Sequence, residues 1–302
     1  MERIKEALER ARQERQQSAG VYGAVTSRGA AAALPSQIAY TQTRHAEISN
    51  EFLREKRVIT GNDPDSFTDA YGILRTQVLQ RLRENKWNAL AITSPGVEEG
   101  KTLTTINLAI SLAMEVSYTV LLVDADLRHP NIHTYFGLEP EFGLSDYLVS
   151  DKPLQELLVH PAGIQGLIIL PGGKPLTNSA EMLNSPKMTR LVEELKTRYP
   201  SRIVLFDLPP LLATADAIAF APYVDAALLV LEEGKTTIQD AQRATELLKD
   251  AHLIGAVLNK SLSNLTDEGQ SDWKLPGWSI PWNMMIGKLR QWTSRLSRRK
   301  GH

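Results

Sequence analysis

The chain has 302 residues, 42% of them hydrophobic, no cysteine, and a formal net charge of -1, a balance that suits a folded α/β core. Without cysteine there is no disulfide framework, thiolate metal site or cysteine nucleophile. No apolar run approaches the ~20 residues of a membrane-spanning helix, MERIKEALERARQER lacks the apolar stretch of a secretory signal, and near-neutral charge gives no reason to expect nucleic acid. These exclusions point to a cytoplasmic protein.

Residues 1–17 place Ile4, Leu8 and Ala11 on one face of a short helix, and residues 18–62, small and weakly patterned at first, read as a linker. A P-loop-type α/β domain is expected over residues 63–265. It opens with an amphipathic helix carrying Phe67, Tyr71, Leu74, Val78 and Leu82 at three- and four-residue spacing. Short apolar runs follow at 89–93, 119–124, 167–170, 203–207, 226–231 and 254–259, with helical stretches such as 187–198 and 237–250 between them. Continuous Val/Ile/Leu runs suit parallel strands buried on both faces, so the expected architecture is a mostly parallel sheet flanked by helices on both faces.

Three segments at predicted strand ends carry chemistry. Ser94–Thr102, SPGVEEGKT, lies between a strand and a helix, where loop N–H groups and the helix N-terminus attract phosphate. Gly96, Glu99, Gly100, Lys101, Thr102 and Leu103 form its candidate nucleotide-binding set, with Lys101 reaching the phosphates and the Thr102 hydroxyl ligating Mg²⁺. Pro95 stands where the general pattern has its first glycine. In LLVDADLRHP, Asp124 is a candidate metal ligand, Asp126 a base or orienting group for the nucleophile, and Arg128 a partner for phosphate or for an acidic neighbour. In IVLFDLPP, Asp207 is the second metal carboxylate, while Pro209 and Pro210 end the strand. Each aspartate alone is an ordinary turn or cap residue; the three together, in this order, indicate a nucleotide site.

With these residues, the sequence resembles the bacterial tyrosine kinases of capsule and exopolysaccharide synthesis. The resemblance runs over roughly residues 63–262 and includes AYGILRT, PNIHTYFGL, GLSDYL, LPGGKPLTNSAEMLNS and AVLNK; the first fifteen residues are similar to the exosortase-linked branch. It implies ATP and Mg²⁺ as cofactors, tyrosine autokinase activity, and a membrane polysaccharide co-polymerase whose cytoplasmic segment activates the enzyme. It also places Asn259 near the adenine base, although an Asn closing a strand reads almost as well.

Three departures from the family pattern stand out. Glu98 replaces a glycine of the loop, adding negative charge near phosphate. Asp69, Gly72 and Arg75 stand where the family carries a Glu-x-x-Arg-x-x-Arg helix motif that supports ring assembly, which leaves homo-oligomer contacts open. Residues 224–302 contain no tyrosine, whereas the family carries a C-terminal tyrosine cluster. Instead, 266–302 forms a linker and a basic tail. As a helix, 282–299 would align Trp282, Met285, Ile286, Leu289, Trp292 and Leu296, a pattern fitting either an anionic membrane surface or a docking face. Two other functions therefore stay open: a membrane-cycling ATPase switch, and a nucleotide-binding scaffold with little turnover.

Overall fold

The computed structural model describes residues 44–60, 66–115, 117–199, 201–249 and 251–261, together with the backbone of 285–290. Its strands are β1 (Arg44–Ala46), β2 (Ala89–Thr93), β3 (Thr119–Asp124), β4 (Val159–Pro161), β5 (Leu167–Leu170), β6 (Arg202–Asp207), β7 (Ala226–Glu232), β8 (Leu253–Ser261) and β9 (Met285–Arg290). Among the described residues they form one sheet in the order β1-β4-β5-β3-β6-β2-β7-β8-β9. The pairings are parallel except β4 with β5, which is antiparallel.

Alternation along the strands explains why the apolar runs are continuous. Leu90 and Ile92 of β2, Val120 and Leu122 of β3, and Ile203 and Leu205 of β6 belong to one core. Their neighbours Ala89, Ala91, Leu121, Val123, Val204 and Phe206 belong to a second. A strand with helices on both faces has no side left for water, so both sets of alternating residues are apolar.

Three helices matter for the site or its support: α1 (Asn50–Glu55), α2 (Ser66–Asn85) and α3 (Lys101–Ala113). The first core takes Tyr71, Leu74, Val78 and Leu82 of α2 and Ile106, Leu108 and Ile110 of α3. The second takes Met188, Leu191, Val192 and Leu195 from the helix Pro186–Thr197. Arg75 donates to the Ser111 carbonyl at 3.0 Å and pairs with Glu115 at 3.3 Å, so it joins α2 to the end of α3.

The structure departs from the sequence expectations in two places. Within the expected linker 18–62, residues 44–46 and 50–55 are β1 and α1. Ser49 caps α1, while Leu53, Val58 and Ile59 enter the core. Asn107 of α3 holds this segment by accepting from Ile59 N–H and donating to the Arg57 carbonyl, both at 3.0 Å. The expected helix 282–299 is also not formed over 285–290, which pairs as β9 with β8. An edge strand presents unpaired backbone groups, and Gly287 weakens the helical alternative. The expected N-terminal helix and the rest of the C-terminal tail lie outside the described residues.

Candidate functional site

The site lies where β2, β3 and β6 end. Register pairs Asp124 of β3 directly with Asp207 of β6, and Asp207 with Ile92 of β2. Two carboxylates therefore sit side by side at the carboxyl edge of a parallel sheet, next to the loop leaving β2, the usual ligand crevice of such folds. Leu208 N–H donates to the Ile92 carbonyl and Leu211 N–H to the Ser94 carbonyl, both at 2.9 Å. The Thr93 hydroxyl donates to the Pro209 carbonyl at 2.8 Å, locking the proline turn against the loop.

Within the loop, Gly100 has φ 93° and serves as the N-cap of α3. A side chain there would be strained by that angle and would bring a Cβ to 2.0 Å from Asn259 Nδ2, so only glycine fits. Lys101, Thr102 and Leu103 begin α3, where N–H groups have no intrahelical acceptor and the helix dipole is positive. Leu103 turns its side chain toward the core and so offers the site its backbone alone.

The three segments singled out by their strand-end positions meet here. Lys101 Nζ donates to Asp126 Oδ2 at 2.9 Å and lies 3.7 Å from Asp207 Oδ2. The Thr102 hydroxyl donates to Asp207 Oδ2 at 2.7 Å, and Thr105 donates to Asp207 Oδ1 at 3.3 Å. Burial opposes the Lys101 charge, but Asp207 and Asp126 more than offset it and hold its pKa above the ordinary value. Burial also drives Asp207 upward, against the pull of Lys101 and Thr102.

Asp124 is held differently from Asp207. Its Oδ2 accepts from the N–H groups of Asn131 and Ile132, each at 2.9 Å, whereas its buried Oδ1 has no partner among the described residues. Burial and the neighbouring Asp207 push its pKa up to about 8, despite those two N–H bonds. An orphaned buried carboxylate oxygen, a second carboxylate beside it and a threonine hydroxyl form an all-oxygen donor set. That set fits a hard divalent cation such as Mg²⁺.

The remaining candidates are placed differently. Arg128 forms a two-pronged pair with the fully buried Asp216, at 3.0–3.2 Å, while Ser179 donates to the same carboxylate. It thus takes the acidic-neighbour role in this conformation. Glu99 folds its carboxylate back into the loop, accepting from Gly96 N–H at 2.9 Å and from the Thr236 hydroxyl. Asn259 donates to the Glu99 carbonyl at 2.8 Å and accepts from Lys260 N–H at 2.8 Å. Its amide is joined to the loop.

Sequence reasoning missed Asp216, Thr236, Lys235 and Lys260. Lys260 Nζ donates to the Glu98 carbonyl at 2.8 Å and Lys235 Nζ to the Val97 carbonyl at 2.7 Å. The only available signal was the Lys following Asn259. Gly172 and Gly173 also prove structural: a Cβ on Gly172 would meet Pro130 at 2.7 Å, and one on Gly173 the Ser145 hydroxyl at 2.4 Å.

Comparison with known proteins shows the family. The profile of a family described as "CobQ/CobB/MinD/ParA nucleotide binding domain" matches residues 90–283. The chain is 36% identical over 219 residues to the tyrosine-protein kinase YwqD of Bacillus subtilis, covering 71% of this chain and 91% of that one. The chain belongs to the bacterial tyrosine-protein kinase family. Its match to the tyrosine-protein kinase Etk of Escherichia coli, 32% identical, covers 72% of this chain but only 29% of that longer one. The solved kinase domain of Escherichia coli ETK superposes with a TM-score of 0.62 at 29% identity, covering 74% of this chain and 90% of that domain. The fold is thus a nucleotide-binding P-loop fold of this family. Among the described residues, no helix is long and apolar enough to cross a membrane.

Proposed function

We propose that the chain is a Mg–ATP-dependent protein-tyrosine kinase acting in exopolysaccharide synthesis or export. The observation that carries this reading is the convergence of Lys101, Thr102, Asp126 and Asp207 within hydrogen-bond or ion-pair reach beside Asp124. Loop N–H groups and the α3 N-terminus receive the phosphates of ATP, and Lys101 moves from Asp126 to the β- and γ-phosphates. That exchange releases Asp126 to accept the proton of a tyrosine hydroxyl. The phenolic oxygen then forms a bond to the γ-phosphorus while the bond to the β,γ-bridging oxygen breaks and ADP leaves. Thr102, Asp124 and Asp207 would hold Mg²⁺, which neutralises phosphate charge when bound.

In this reading the protein is cytoplasmic and peripheral to the membrane. The activating partner is the cytoplasmic segment of a membrane polysaccharide co-polymerase, and other copies of this chain or an anionic membrane surface are further contacts. The absence of tyrosine from residues 224–302 favours a second reading, an ATP-driven switch that does not phosphorylate tyrosine.

Mass spectrometry of the full chain incubated with Mg–ATP, wild type against Lys101→Met, separates the two. Phosphotyrosine and ADP in wild type alone are the expected result and locate the acceptor. ADP release without phosphotyrosine, unchanged by a partner segment or an added tyrosine peptide, replaces the kinase by the switch.

A further inference from the structure

The phosphate loop is held from behind by groups that lie more than a hundred residues away in sequence. Three successive carbonyls of the loop are taken: Val97 by Lys235 at 2.7 Å, Glu98 by Lys260 at 2.8 Å, and Glu99 by the Asn259 amide at 2.8 Å. The carboxylate of Glu232 lies 2.9 Å from the Lys260 ammonium and 3.5 Å from that of Lys235, tying the two lysines together. Thr236 completes the group by bridging Glu232 N–H, at 2.8 Å, and the Glu99 carboxylate.

A trans peptide unit points its N–H away from its C=O. Drawing these three carbonyls toward β7 and β8 therefore turns the N–H groups of Glu98, Glu99 and Gly100 to the opposite side of the loop. Successive N–H groups facing one way make an anion cradle. The brace also bears on the local conformation, because Glu98 sits at φ 60°, where a side chain is disfavoured. A glycine would adopt that angle unaided; here the Lys260 ammonium holds the Glu98 carbonyl in place.

We infer that Lys235, Lys260 and Asn259 are positioning residues for phosphate, which hold the loop N–H groups toward the nucleotide by binding the carbonyls behind them. The inference rests on the nucleotide-binding reading above and assigns Asn259 to the loop. It makes Lys260 the substitute for the glycine missing at position 98.

The test is calorimetric titration of the full chain with ADP and Mg²⁺. The set comprises wild type, Lys101→Met, Lys260→Met, Lys260→Arg, Glu98→Gly and Lys260→Met/Glu98→Gly, each checked for folding by thermal melting. Loss of one charge-assisted hydrogen bond predicts about tenfold weaker binding for Lys260→Met, with most affinity kept by Lys260→Arg. The double variant is expected to bind within about threefold of Glu98→Gly, because glycine needs no carbonyl clamp. Lys260→Met binding as wild type, or weakening ADP equally in both backgrounds, would overturn the inference. A wild type that binds while Lys101→Met does not secures the nucleotide reading independently; a wild type that does not bind ADP overturns both.

Discussion

At position 98 a glutamate occupies the left-handed region, with its side chain exposed beside the phosphate loop. Its charge repels phosphate by about 1 kcal/mol at contact range in water, and its backbone angle costs roughly as much again. Glu98→Gly is expected to tighten Mg–ADP binding about two- to fivefold, with Glu98→Gln recovering only the charge-dependent part. Titrations at low and high salt check this, since the charge part fades with ionic strength. Asp124 gives a second prediction. Between the ordinary carboxylate pKa and its folded value of about 8, the native state keeps a proton that the unfolded chain has released. Stability without cation therefore declines as pH rises through that window, and cation binding releases a proton. Denaturant unfolding from pH 5 to 8.5 in EDTA should show this slope, and Asp124→Asn should reduce it, the raised Asp207 carrying the remainder.

Elements differ in how plainly their residues announce them. The runs TVLLVD and IVLFD needed no tertiary information, because a strand covered on both faces is apolar at every position. β1 and β4 are RHA and VHP, three residues each, and they are strands because each finds a partner along the sheet. Nothing in three such residues encodes that pairing. The site candidates were legible from the central strands: Asp124 and Asp207 close apolar runs directly, and Lys101 ends the glycine-containing loop that leaves another. Their supports were not, since Asp216 lies 88 residues from Arg128 and Lys260 lies 162 from Glu98. The Asp216 pair carries its own prediction, because Arg128 joins the loop after β3 to the helix Asp216–Phe220. Arg128→Met leaves a buried carboxylate with Ser179 as its remaining side-chain donor among the described residues. With Arg128 one-third exposed, the expected loss is about 2 kcal/mol in urea unfolding, below the 3–5 of a fully buried pair. Arg128→Lys should recover only part of it.

Across the whole molecule, ligand binding and folding are linked, because the site is assembled from three strand ends and a helix start that separate on unfolding. Mg–ADP at about a hundred times its dissociation constant adds ~2.7 kcal/mol, which should raise the melting temperature by roughly 5 °C or more. Lys101→Met should abolish that nucleotide-dependent rise, while its unliganded melting point falls as well, because Asp126 and Asp207 lose the cation they are buried against. Differential scanning fluorimetry with and without nucleotide reads both.

The direct pairing of Asp124 with Asp207 across β3 and β6 has a kinetic consequence. Their backbones are separated by the inter-strand spacing of about 4.8 Å, and both strands are buried on both faces, so this side of the site is a fixed jaw. Nucleotide is therefore expected to act on the other side of the site, the loop at 94–100 and the segment at 131–135. Hydrogen exchange should accordingly find β3 and β6 among the slowest amides with or without nucleotide, and nucleotide-dependent protection concentrated in those two segments.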